Sequence, residues 1–332
     1  MLQKCGYLQA GSKPKNLTFS LSNLIYVTLS GCIKFSSITM ELDFVKLKQL
    51  KPAIAGYIRK SQALLKRSDI PDENAIHDIR VLMKKSRSLL KLSAHQTNNP
   101  YYARDIADLR EIGRTLCSWR EASVYRKILR DLKKEFPDIF SGLQGNPVLS
   151  ILLEKPNPPG ELFVEISSAL GHIEALLNKT SYRIRFQTMN MIDPKLLISE
   201  LDVTYNQVAK IYLKCRNNPK PETIHNFRQK SKYFLYQLYI FRPLNPLSVK
   251  ALEKKLEIMT LNLGKFNDLA QIIRVLGYDY REATNLPPMD ELILKIRDRQ
   301  DRYLAKVWSP AYQIFCPGQK LVNLLGFKLL VI

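Results

Sequence analysis

Two histidines head matching runs of cations. His77, Arg80, Lys84, Arg87 and Lys91 follow one another at spacings of three and four, and His225, Arg228 and Lys232 repeat the first two of those steps. Side chains three and four apart share one face of an α-helix, so each run is a positive ridge. From His77 to Lys91 that ridge is about 21 Å long at the α-helical rise. Arg80, Arg87 and Arg228 offer forked donors, while Lys84, Lys85, Lys91 and Lys232 act as point charges. Such a row suits a polyanion, because each contact releases condensed counterions to bulk. A bound anion also favours the charged form of a neighbouring histidine, which would make His77 and His225 further cations. Tyr236 and Tyr239 add hydroxyl donors without charge.

The elements that position these ridges are read as a repeat. With one constant offset and no gap, Pro71 pairs with Pro219, Ile76 with Ile224, His77 with His225, Arg80 with Arg228, Lys84 with Lys232 and Leu90 with Leu238. The same offset keeps Tyr57 and Tyr205, Leu65 and Leu213, and Lys66 and Lys214 in register. One offset held across charged and histidine positions points to an internal duplication. In the first copy Ile76, Ile79, Leu82, Met83, Leu89, Leu90 and Leu92 fall mostly on other faces and are the candidate core.

A His-x-x-Arg-x-x-x-Lys helix present twice resembles the CHAD family, the conserved histidine α-helical domain. His77, Arg80, Val81, Lys84, Lys85 and Arg87 fit its N-terminal motif; His225, Arg228, Lys232 and Tyr236 fit its C-terminal one, with Leu235 where an arginine is usual. A Leu-Gly-x-x-(Arg or Asn)-Asp turn follows each motif in the family. Residues 263–268, with Leu263, Gly264, Asn267 and Asp268, match it; residues 116–121 keep Arg120 but carry Cys117 for Gly and Glu121 for Asp. The resemblance runs from about residue 42 to beyond 280. It implies an all-α fold of two pseudo-symmetric helical bundles, long antiparallel helices around a basic central groove or pore, and binding of inorganic polyphosphate. The implied binding residues are His77, Arg80, Lys84, Lys85, Arg87, Lys91, His225, Arg228, Lys232 and Tyr236, with Arg114 and Arg120 as further candidates for the cavity wall.

Whole-chain composition bounds the partner independently. In 332 residues, 51 Lys and Arg stand against 30 Asp and Glu, a formal net charge of +21. That excess raises self-repulsion and signals a polyanion: nucleic acid, an anionic membrane or a phosphate polymer. The five cysteines, Cys5, Cys32, Cys117, Cys215 and Cys316, are odd in number and contain no Cys-x-x-Cys pair, which argues for a reducing, cytoplasmic compartment over a disulfide framework or zinc site.

Along the chain, residues 1–39 are read as an extension of unknown role. Residues 16–32 are uncharged, but Ser, Thr and Asn interrupt the apolar run, which is short for a membrane span. The helical domain is placed at 40–316: a first repeat at about 41–136, a linker at about 137–160 with five prolines and three glycines, and a second repeat at about 161–308. Residues 317–332 form an apolar tail. Pro52 predicts a bend, Asp69 a helix cap and residues 148–154 one short helix. His95 and His172 lie outside the motifs and are read as structural.

No P-loop, paired carboxylates at ligand spacing or Glu-x-Glu-x-Lys strand accompanies the motifs, so the expectation is binding without catalysis and without a cofactor. The alternatives are backbone-type nucleic-acid binding, which net charge permits, and a metal-dependent phosphohydrolase, which the repeated histidines suggest. Polyphosphate is the expected partner, in the cytoplasm or at polyphosphate granules.

Overall fold

The structure is a computed structural model and describes residues 35–67, 70–96, 100–153, 160–187, 193–280 and 287–326. Its regular structure is helical throughout, with no strand among the described residues. In chain order the helices are α1 (Phe35–Leu65), α2 (Glu73–Leu92), α3 (Tyr102–Thr115), α4 (Cys117–Glu135), α5 (Pro137–Gly142) and α6 (Pro147–Leu153). There follow α7 (Gly160–Phe186), α8 (Pro194–Asn217), α9 (Pro221–Leu238), a 3₁₀ turn (Tyr239–Phe241), α10 (Pro246–Tyr280), α11 (Pro287–Phe315) and α12 (Leu321–Leu325). The uncharged stretch at 16–32, the Asp69 cap and the end of the tail at 327–332 lie outside the described residues.

Both motif helices start where local chemistry dictates. Asp72, with extended backbone, caps α2 by accepting from the Ala75 N–H at 2.6 Å, and Glu73 meets the positive end of the dipole. Pro221 opens α9, where its missing N–H costs nothing. Pro52 is carried inside α1, which runs on past it.

The family's turn signature at 263–268 lies in the middle of α10 instead of in a turn. Leu263, Phe266 and Leu269 are buried there, and Asn267 back-bonds its side-chain amide to the Leu263 carbonyl at 2.8 Å. Burial of these apolar side chains outweighs the roughly 1 kcal/mol that one helical glycine costs.

Around the first motif helix, α2 packs on α1 and α3, and α7, which opens the stretch read from sequence as the second repeat, closes against α1 and α3. In the second half α9 packs on α8 and α10, and α11 closes against both. The two arrangements meet where α2 lies against α9. One apolar core runs through them, from Leu50, Ile54 and Ile58 of α1 by way of Ile79 and Met83 of α2 to Phe227 and Phe234 of α9 and Phe315 of α11. Tyr205 and Tyr212 of α8 join that aromatic cluster, and the Tyr205 hydroxyl donates to the Ile314 carbonyl at 2.8 Å.

Residues 147–153 supply the short helix expected near 148–154, and α5 adds another before it. Ile139, Phe140 and Leu149 from this stretch form a second core with Leu269, Ile272 and Leu276 of α10 and Met289, Leu292 and Ile296 of α11. A buried clasp secures α7: Arg183 bonds Asp105 at 2.6 Å and Asp108 at 2.5 Å, while Gln187 donates to the second Asp105 oxygen at 2.7 Å.

Candidate anion-binding site

The two motif helices are tied to each other directly. Ser88 of α2 donates its hydroxyl to the Tyr233 carbonyl of α9 at 2.9 Å, and Gln237 donates back to the Ser88 carbonyl at 3.3 Å. With that register fixed, the ridges face a common cavity of about 350 Å³ roofed by α10. From α2 come His77, Lys84 and Arg87; from α9 come His225, Arg228, Lys232 and Tyr236. On α9 these belong to one stripe, since Gln229 and Tyr233 line the cavity too and complete the i, i+3, i+4, i+7, i+8 pattern from His225. Helix α10 contributes Thr260, Gly264 and Lys265, along with Asp268, which has interactions of its own.

Arg80 and Arg228 both lay their guanidinium groups against the helix that follows. Arg80 donates to the Gly113 carbonyl and, at 3.3 Å, to the Cys117 sulfur. Arg228 lies on Gly264, where a Cβ would stand 3.3 Å from its Nε. Cys117 thus occupies the place in residues 116–121 that Gly264 holds in 263–268, and each gives its arginine a floor. The Nε atoms of Arg87 and Arg228 are buried without a hydrogen-bond partner.

Crowding like charges in a half-dry cavity perturbs them. Burial, then the neighbouring Arg228, Arg80 and Arg87, pulls Lys84 down to about 8 from 10.5. A shift of that size is roughly 3 kcal/mol against the charged lysine, which an incoming anion would relieve. Burial first and Arg228 second also lower Lys232. His225 is lowered by burial, Arg228 and Lys84, so it is neutral near pH 7 in the free protein. Burial pushes the Tyr236 phenol up to about 12, which keeps it a neutral donor.

Four of the expected residues do not line this cavity: Arg80, held by Gly113 and Cys117, and Lys85, Lys91 and Arg114. Lys85, one step round α2 from Lys84, sits over the rings of Tyr57, Tyr236 and Tyr239 at 5.3 to 5.8 Å. Lys91 lies over the Tyr233 ring at 4.9 Å, beside a separate cavity. Arg114 is exposed and pairs with Glu111 on its own helix. The Arg120 side chain lies outside the described residues. Of the two histidines outside the motifs, His95 borders that separate cavity and His172 is exposed on α7. Among the described residues no three of His, Cys, Asp and Glu converge as a metal site.

The family model described as CHAD domain matches residues 53–276, two thirds of the chain. The chain belongs to the CHAD family. The CHAD fold is also seen in the similarity to the crystal structure of the CHAD domain from the plant Ricinus communis. That match has a TM-score of 0.53 at 17% identity and covers 86% of this chain and 91% of the other. No curated protein matches by sequence.

Two departures of this CHAD domain from the motif pattern have structural explanations. Leu235, at the usual arginine position, is buried in the core, and Cys117 takes up Arg80 as described. Gln229, Tyr233 and Lys265 were missed in the sequence. The first two were readable from the α9 stripe, whereas Lys265 is brought in only by the way α10 crosses the motif helices.

Proposed function

We propose that the CHAD domain binds inorganic polyphosphate in the cavity between α2, α9 and α10, as a targeting or accessory module without catalysis of its own. The observation that carries this reading is the convergence of His77, Lys84 and Arg87 with His225, Arg228 and Lys232 on one cavity. Side chains already depressed by burial and by mutual repulsion gain most from a ligand that is all anion. A linear phosphate chain can enter such a cavity. A nucleic acid carries bases and sugars on its backbone and would be restricted to phosphate contacts at the rim. Cations crowded on one face would oppose the divalent metal that a phosphohydrolase needs. Among the described residues no helix is long and apolar enough to cross a membrane. The same reading places the protein where the polymer accumulates, in the cytoplasm at polyphosphate granules.

A competition titration tests this. Labelled long-chain polyphosphate bound to the full chain is challenged with unlabelled polyphosphate, duplex DNA and RNA at equal phosphate concentration. Polyphosphate should compete best and its affinity should fall steeply with salt. A variant with Lys84→Gln, Arg228→Gln and Lys232→Gln should lose binding and keep its helical circular dichroism. Equal competition by DNA would favour the nucleic-acid reading, and orthophosphate release with added metal would favour the hydrolase.

A further inference from the structure

Helix α7 lends no residue to the cavity between α2, α9 and α10, yet its outer face carries a cationic surface of its own. A wide, shallow trough of about 450 Å³ lies between Arg104 of α3 and Asn178, Lys179, Tyr182 and Arg183 of α7. Tyr182 pairs with Phe186 one helical turn on, ring centroids 4.8 Å apart and planes inclined at 54°. Both rings stand open to water, 68% and 64% exposed, and Arg185 lies over the Phe186 ring at 5.9 Å. The pair therefore offers free aromatic faces beside a row of cations.

This platform is held in place from behind. Lys51 of α1 donates to the Arg185 carbonyl at 2.9 Å and to the Gln187 carbonyl at 2.7 Å, which ties down the last turn of α7. Arg183 is locked to Asp105 and Asp108, so both acids are neutralised beneath the trough. The cations at the surface are uncommitted. Among the described residues Arg104, Lys179 and Arg185 form no ion pair, and Glu174, earlier on the same helix, is engaged by Lys66 at 3.4 Å. From Lys179 to Phe186 the face runs about 10 Å at the α-helical rise, the length of roughly three stacked nucleotides.

We infer that this face of α7 binds single-stranded nucleic acid, with bases on Tyr182 and Phe186 and phosphates on Arg104, Lys179 and Arg185. Every base has a face that can stack, so the pair holds a strand without reading its sequence. Polyphosphate has no such face, and a duplex keeps its bases stacked on one another. A flat anionic membrane does not fill a trough, and nearer its start the same helix face shows Gly171, His172 and Ala175, which supply no apolar stripe to bury in lipid. Because α7 stands apart from the cavity, this inference does not depend on the polyphosphate reading.

The test measures binding of labelled oligouridine, oligothymidine, an abasic oligomer of equal length and long-chain polyphosphate to the full chain and to two variants. Tyr182→Ala with Phe186→Ala removes the rings and no charge. It should weaken both base-bearing strands by about tenfold or more with the salt slope unchanged, and keep the abasic oligomer and polyphosphate within about twofold of the parent. Arg104→Gln, Lys179→Gln and Arg185→Gln together should weaken the strands and make the slope of log K against log salt shallower by roughly two. All five side chains are exposed, and unchanged helical circular dichroism checks that both variants fold. Whichever base-bearing strand binds the parent tighter identifies the ligand as RNA or DNA. Equal strand binding by the parent and the ring variant, or equal binding of abasic and base-bearing oligomers by the parent, would overturn the inference. So would a ring variant that loses phosphatidylserine vesicles and keeps the strands, since the face would then be a membrane anchor. A parent that binds the strands and no polyphosphate would overturn the proposed function alone.

Discussion

The guanidinium of Arg228 lies against Gly264, so close that a Cβ at Gly264 would stand 3.3 Å from Nε and 3.4 Å from Nη2. The glycine is needed by the arginine, since α10 would be helical with alanine there. Gly264→Ala should therefore leave the melting temperature unchanged or higher, because alanine gains about 1 kcal/mol of helix propensity. Polyphosphate affinity should fall several-fold as Arg228 is displaced. Calorimetric unfolding and a binding titration on the same variant check both halves of this.

Lys84 links binding to protons. In the free protein it titrates near 8, and a bound polyanion returns it toward the ordinary lysine range. The complex therefore holds more protons than the free components above pH 8, so the contribution of Lys84 to affinity is full below that pH and falls as pH rises through it. His225, lowered in the free protein, gives a second uptake at lower pH. Calorimetric titration in buffers of different ionisation enthalpy should show proton uptake at pH 8.5. Lys84→Arg should abolish the uptake there while retaining binding.

Adjacent lysines should behave unequally. Lys84 faces the cavity, whereas Lys85 spends its charge on the rings of Tyr57, Tyr236 and Tyr239. Lys84→Gln should weaken polyphosphate binding by about tenfold and Lys85→Gln by less than about threefold, measured at low salt where each contact counts most. The reverse order would mean that the ridge turns the other way on α2.

The clasp on α7 is a matter of stability. Asp105 is fully buried, and Arg183 reaches it and Asp108. Removing one partner leaves a buried charge uncompensated, so Arg183→Met should cost about 3 to 5 kcal/mol in denaturant unfolding. Its effect on polyphosphate affinity, measured below the transition, should be small because α7 does not line the cavity.

Helical class, the long helices and the cationic rows were legible in the sequence, because a period of 3.6 is a local property written into the spacing of residues such as His77, Arg80 and Lys84. The family resemblance was legible for the same reason, since its motifs are short and continuous. Spacing could not say which way each ridge faces. Seven residues on from His77, Lys84 enters the cavity, yet its neighbour Lys85 is turned into a tyrosine cage by the packing of α1 against α2. Positions that match at the constant offset in sequence also part company: Tyr57 lies under Lys85, while Tyr205 is buried against Phe234 and Phe315. The signature at 263–268 reads as a turn in sequence and becomes helix because its apolar residues Leu263 and Phe266 are buried. Sequence determined what each helix carries. Tertiary packing decided what each one shows to the others, because the contact of α2 with α9 and the crossing of α10 join residues far apart in the chain.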